Sequence, residues 1–456
     1  MIASPPAALL HLSPHRALWS LAWPVVALGL IRSGYHLAAA YWAGRLPNAE
    51  AAQAALGVTS FAVWILMSVA ELASVGTHAL VARAEGARER WRVGAVLLQG
   101  AWVALLCGGT AAVFSGPILS WYFDAVGFRG ALFEQPRALG EGYLRALLMG
   151  AALTNLHGLV SATFRGLGDT RTPMMVSCVT LLLNAALDPV LMLGWGSIPA
   201  LGLAGAGWAT VLANGAGLAL FAGALRERGV QLPWNGPEWK ILGQIVRIGG
   251  PAMLSGIGFC LVYVALGDLL ARFGPSALAG LGLGHRLEGP AYQVCAGFGA
   301  AAATLVGQHL GAGEPEEARS AAHRAAWWSC GVMAPLSLLF VAAPRWLVGM
   351  FTADEASTER GAAYVLVVGM ILAPMALEVI YESAFAGAGE TWLAMGIVIV
   401  FTAARLPLAW WLSRPLGLTG VWMTIAGTCA LKGFLLWGAF TWRSRRKDWG
   451  SAVCLA

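Results

Sequence analysis

Charge is scarce in this chain. Acidic and basic residues make up 11% of it and apolar residues 58%, with a mean hydropathy of +0.68, whereas about a quarter of an ordinary soluble domain is charged. That shortage excludes a soluble globular protein and implies a polytopic membrane protein. Segments of about ten residues with alternating polarity are also missing, which excludes a membrane β-barrel. The seven cysteines (Cys107, Cys178, Cys260, Cys295, Cys330, Cys429 and Cys454) have no paired spacing and lie mostly in apolar stretches. They read as small packing residues rather than disulfide or metal-binding groups. The eight histidines form no metal-ligand set, and no HExxH or GxxxxGK[ST] occurs. The chain therefore offers no metalloprotease or nucleotide-hydrolysing motif, and no cofactor or metal is expected. His11 and His15 are four apart, but no acid or cysteine stands beside them. The opening MIASPPAALLHLSPHRALWS lacks the apolar core and cleavage site of a signal or transit peptide.

Long apolar runs are what the chain has in quantity. Windows of roughly 20 residues, enough to cross about 30 Å as helix, recur about twelve times. They fall at 18–42, 52–80, 92–116, 138–163, 174–195, 202–225, 243–271, 277–309, 321–345, 362–385, 393–413 and 417–441. The 58 glycines suit close helix contact in lipid, and the 21 tryptophans suit interfacial belts. The net charge of +6 is distributed as a membrane topology rather than as a nucleic-acid surface. With the N-terminus taken as cytoplasmic, seventeen basic residues fall on that side, including Arg83, Arg88, Arg90, Arg92 and the tail RSRRK, against seven opposite. Both termini are expected in the cytoplasm of a bacterial inner membrane, with the tail as an anchor near anionic lipid.

The chain also resembles itself. FRGLGDT (164–170) matches FAGAGET (385–391), LGLAG (201–205) matches LGLTG (416–420), VARAEGA (81–87) matches VGQHLGA (306–312), and LAWP (21–24) matches IGGP (248–251). The offsets of 215 to 227 residues define two six-helix halves, residues 1–228 and 229–456, joined by the polar RERGVQLPWNGPEWK. An even number of helices gives both halves the same orientation, as in parallel-repeat transporters with a central cavity and alternating access.

These residues carry a family resemblance. From LAWPVVALGLIRSGYHLAAAYWAGRL to LGLTGVWMTIAG, the chain resembles the multidrug and toxin extrusion (MATE) family, and is most similar to its DinF-type branch. FRGLGDTRTPM, NAALDP, TLVGQHLGAGEPEEAR and FAGAGET are the specific pieces. The resemblance implies a V-shaped, all-α pair of six-helix bundles. It further implies a monomer that exports amphipathic, often cationic, organic compounds in exchange for protons or sodium. It places coupling at Tyr35 on the first helix and at Asn184 and Asp188 on the fifth, with Pro24 as the residue about which the first helix bends. In place of the family's first-helix acid stands Ala39, which favours the proton, because one titratable carboxylate suffices for it.

The remaining candidates come from the residues themselves. A carboxylate deep in a bilayer is costly and marks a pathway or a partner, so Asp188 reads as a proton carrier, or else as a helix-bridging group beside Pro189. Glu71 on the second helix and Glu378 on the tenth are further coupling candidates. Glu382 lies at i+4 from Glu378 on the same face. Arg32 is a fixed positive charge that could neutralise Asp188, and His36 could titrate. Phe61, Trp64, Asn155, Thr210 and Tyr292 complete the expected cavity. Asp169 and Glu390 are expected to cap the helices that follow them; Arg405 and Lys432 have no assigned partner. The leading expectation is a proton-coupled antiporter. A flippase for a lipid-linked precursor is the alternative on the same fold, and a membrane-embedded enzyme is the alternative of another class.

Overall fold

The computed structural model describes residues 12–128, 130, 133–233, 236–352 and 354–450, and the side chains of 33–40 lie outside the description. Seventeen α-helices follow one another among these residues. They are α1 (Pro14–Ala43), α2 (Ala49–Gly86), α3 (Arg90–Val113), α4 (Ser115–Ala125), α5 (Glu134–Met149), α6 (Ala151–Gly166), α7 (Arg171–Leu193) and α8 (Leu203–Glu227). The second series is α9 (Trp239–Ala271), α10 (Pro275–Gly311), α11 (Pro315–Ala342), α12 (Pro344–Gly349), α13 (Glu355–Gly369), α14 (Leu372–Gly387), α15 (Thr391–Ala403), α16 (Arg405–Leu416) and α17 (Leu418–Arg443). Among the described residues the only β pairing is an isolated bridge between Trp195 and Ile198.

Eight helical segments are long and apolar enough to cross a membrane on their own, with α15 and α16 counted together. The pairs α5/α6 and α13/α14 bring the number to ten, each bent at its break by 54° and 60° respectively. The other two stretches expected from the sequence are α1 and α10, with 30 and 37 residues. At 1.5 Å per residue both are long enough to span. The helix α1 runs unbroken through Pro24, and α10 through Pro290.

The sequence repeat is also a backbone repeat. Gly202, at the start of α8, has φ 58° and ψ −141°, and Gly417, at the start of α17, has φ 58° and ψ −140°. Gly168 and Gly389, at the matching turns before α7 and α15, have φ 81° and 72°. Gly313 has φ 78°, and the matching position in the first half is Arg88 at φ 61°, the only described non-glycine residue with positive φ. Short α4 after α3 and α12 after α11 are likewise matched, as are the two bent pairs.

The chain divides into two compact units: Ile31–Met253, hereafter the N-terminal unit, and Met1–Leu30 with Leu254–Ala456, the C-terminal unit. Each unit therefore contains the leading part of the other half's first helix. In the N-terminal unit α2 packs on α3 and α6, and α7 on α8. In the C-terminal unit α10 packs on α11, α13 and α14, and α14 on α17. There Leu18, Leu21 and Ala22 of α1 share a core with Phe298, Ile380 and Phe385.

Candidate functional site

Two buried polar networks stand out, one in each unit. In the N-terminal unit the stretch 181–193 of α7 is apolar except for Asn184 and Asp188, one turn apart and therefore on one face. Both are buried, Asp188 completely. Pro189, inside the helix, removes the N–H that would bond the carbonyl one turn back, which leaves polar backbone beside the carboxylate. Asn184 donates its Nδ2 to Thr210 Oγ1 on α8 at 3.1 Å, and Thr210 in turn donates to Ala206 O at 3.1 Å. Tyr143 on α5 lies close enough for the charge of Asp188 to reach it. Asn155 is buried but points elsewhere, donating to Ala104 O of α3 at 3.4 Å.

The other predicted residues of this unit are spread out. Glu71 and Trp64 lie on exposed faces of α2, and Phe61 is half-buried. The side chains of Tyr35 and His36, and of Ala39, lie outside the described residues. Arg32 is half-buried. Its charge and that of Arg165 reach His157 on α6, and Arg165 also reaches His78 on α2. Arg32 and Arg165 are thus two positive charges within electrostatic reach of each other and of His157.

The C-terminal unit holds the denser network. Gly433 lets α17 approach α14 so closely that a Cβ there would lie 2.2 Å from Pro374 O. The neighbouring Lys432, only 2% exposed, consequently reaches Glu378 and donates Nζ to its Oε1. The second carboxylate oxygen of Glu378 accepts from Cys429 Sγ at 3.1 Å, and Lys432 also approaches Thr402 Oγ1 at 3.5 Å. Nearby, buried Arg405 donates Nε to Thr428 Oγ1 at 2.8 Å and Nη1 to the Tyr263 hydroxyl at 3.3 Å. His285 touches the rings of both Tyr263 and Tyr364, and the Tyr364 hydroxyl donates to Glu288 Oε2 at 2.8 Å. Charged groups from α10, α14, α16 and α17 thus meet in one interior. Glu382 sits half-buried one turn beyond Glu378, and Tyr292 is exposed on α10.

Sequence reasoning left Arg405 and Lys432 without partners, and missed Tyr143, Tyr263 and Tyr364. The usable signal was the cost of a lone cation in an apolar span, which demands a buried acceptor; the identity of that acceptor depends on helix packing. The two turn acids also separate. Asp169 accepts from the N–H groups of Arg171 and Thr172, each at 3.0 Å, and pairs with Arg228. Glu390 stands at the start of α15 but makes no side-chain cap; its carboxylate instead holds Arg443 of α17, with Nε at 2.8 Å. The guanidinium offers two well-placed charged donors, which a carboxylate takes in preference to a neutral backbone N–H.

Comparison with known proteins agrees with this architecture. The MatE family model matches residues 24–190 and 251–411. The chain is 28% identical over 387 residues to the probable multidrug resistance protein NorM of Thermotoga maritima, covering 82% of this chain and 81% of that protein. It is 25% identical to the multidrug resistance protein PmpM of Pseudomonas aeruginosa, covering 89% and 87%. Among solved structures, a crystal structure of MATE in complex with MaL6 superposes with a TM-score of 0.88 at 22% identity, covering 97% of this chain and 99% of that one.

Proposed function

Because the chain belongs to the MatE family, a family of membrane transporters rather than enzymes, we propose that it exports amphipathic, cationic organic compounds in exchange for protons. The observation that carries this reading is the complete burial of Asp188 in a transmembrane helix, one turn from Asn184. A carboxylate so placed is neutral while dry and ionises when water or a cation reaches it. Loading and discharge of one proton then accompany opening to the two sides. Asn184 orients the site, held by Thr210, and Tyr35 and Glu71 are the further candidates for proton exchange in this unit. Ala39, standing where the family has its first-helix acid, favours the proton over sodium, because one titratable carboxylate suffices for it. Glu378 is a largely buried acid of the C-terminal unit, but Lys432 already compensates its charge, so it exchanges a proton only when that pair opens.

In this reading residues 1–228 and 229–456 are the repeat halves, and the protein is a monomer of the DinF type. It sits in a bacterial inner membrane with both termini cytoplasmic. Sodium coupling would need a second acid in place of Ala39.

A second reading keeps the fold and changes the cargo to an anionic, lipid-linked precursor. Its support is the pair of positive charges Arg32 and Arg165, which favours negative charge. One experiment tests both. Efflux of a cationic and of an anionic fluorescent dye is measured from proteoliposomes, under a proton gradient and separately under a sodium gradient, with native protein and Asp188→Asn. Proton-driven efflux of the cation that Asp188→Asn abolishes is the expected result. Normal transport by Asp188→Asn would remove the coupling role, and movement of only the anionic dye would favour the second reading.

A further inference from the structure

The basic segment after α17 is a folded turn rather than a loose tail. Arg443, at the helix end, clamps Glu390 with Nε and Nη2, both at 2.8 Å, and reaches Asp448 with Nη1 at 2.9 Å. Trp449 is buried against Phe440, with ring centroids 5.7 Å apart, and the Gly450 N–H donates to Glu390 Oε1 at 3.4 Å. Backbone bonds from Arg446 N to Arg443 O and from Trp449 N to Arg446 O close the turn. Arg443 is thus consumed by structure, and the turn displays Arg445, Arg446 and Lys447, with Asp448 exposed beside them. Among the described residues neither Arg445 nor Arg446 forms an ion pair with a carboxylate.

These two guanidiniums face a groove of about 490 Å³ lined by Trp437, Gly438, Thr441, Trp442, Arg445 and Arg446. Arg446 lies over the Trp442 ring at 4.0 Å, which fixes its planar head beside the opening. Along α17 the groove continues as an exposed apolar surface through Leu431, Phe434 and Trp437. Cations at one end, tryptophans, which favour headgroup regions, beside them, and an apolar track leading away have the layout of a lipid molecule.

We propose that this groove binds an anionic glycerophospholipid, its phosphate on Arg445 and Arg446 and an acyl chain along Leu431 and Phe434. Arginine suits phosphate because its planar fork donates two parallel hydrogen bonds. The clamp at Glu390 holds the donors in place before the lipid arrives, which lowers the ordering cost of binding. A zwitterionic headgroup brings its own cation toward a turn on which the basic side chains outnumber the one acid, Asp448, and is disfavoured. A free phosphate would use the arginines but leave the apolar track empty.

The test is native mass spectrometry of the full chain in detergent, incubated with equal amounts of phosphatidylglycerol and phosphatidylcholine of the same acyl chains. Two basic groups at an anionic headgroup are worth a preference of about thirtyfold. Wild type is expected to retain phosphatidylglycerol at that order, and the exposed double variant Arg445→Gln/Arg446→Gln to retain both lipids equally. Arg414→Gln, which removes another arginine stacked on a tryptophan at 3.6 Å, is expected to behave as wild type, with unchanged thermal midpoints throughout. Equal retention by wild type, or an undiminished preference in the double variant, overturns the site. Displacement of the lipid by inorganic phosphate alone overturns the lipid as its occupant.

Discussion

Lys432 donates its ammonium to Oε1 of Glu378 inside the C-terminal unit, with the two side chains 2% and 13% exposed. Taking one partner from such a pair strands a buried charge, at a cost of about 3–5 kcal/mol, whereas replacing both with apolar or neutral groups costs far less. Lys432→Met and Glu378→Gln are therefore each expected to lower the thermal midpoint in detergent, and the double variant to recover most of the loss. The same double variant separates packing from transport. If Asp188 carries the coupling, proton-driven efflux survives in it.

Gly202 and Gly417 make the repeat testable in energy. Both adopt φ 58° with ψ near −140°, a region that L-residues avoid, and strain of this kind costs on the order of 1–3 kcal/mol. Gly202→Ala and Gly417→Ala are each expected to destabilise by that amount. As they lie in different units, their effects should add when combined; strong non-additivity in thermal unfolding would contradict their independence.

Arg88 supplies the converse. It holds φ 61° where its counterpart in the other half is glycine, and a left-handed conformation costs a residue with a Cβ roughly 1–2 kcal/mol. Arg88→Gly is expected to be neutral or stabilising despite the extra chain entropy of glycine. A loss of more than about 1 kcal/mol, the usual cost of glycine, would show that the Arg88 side chain contributes through contacts.

How much of this was legible in the sequence depends on the range of the interaction. Helix number and the repeat follow from hydropathy and from short matches such as LGLAG and LGLTG, because spans and turns are local properties. The Asn184–Asp188 face was legible for the same reason: four residues of helix bring them onto one side. The Lys432–Glu378 pair joins residues 54 apart, and Arg405 meets Tyr263 across 142; such contacts depend on which helix faces which. Glu390 shows the same limit at a turn, where Arg443, 53 residues away, outcompeted the local backbone.

Asp354 gives a prediction in pH. Its Oδ2 accepts from the Ser357 N–H at 2.8 Å at the start of α13, and hydrogen bonding by Ser357 holds its carboxyl below the ordinary range. A depressed folded-state pKa contributes stability above the ordinary aspartate value of about 3.9, which is lost as pH falls through the folded value. Exchange protection of the Ser357 amide, corrected for intrinsic rate, should decline across that acid window in wild type. Asp354→Ala should start at the low level and stay flat.

If Arg32 and Arg165 lie on the substrate path, their charge discriminates between cargoes. A fixed positive charge about 8 Å from a bound cation, at an effective dielectric of about 20, opposes it by roughly 2 kcal/mol, close to thirtyfold in affinity. If the cargo is a cation that passes near this group, Arg165→Gln should lower the dye concentration needed for half-maximal efflux while leaving proton dependence intact. If the cargo is an anion, the same substitution should raise that concentration by a similar factor. The sign of the change, read at two salt concentrations to separate exposed from buried charge, therefore distinguishes the two readings with one variant. An unchanged half-maximal concentration for both dyes would place these basic groups off the substrate path and make their role structural.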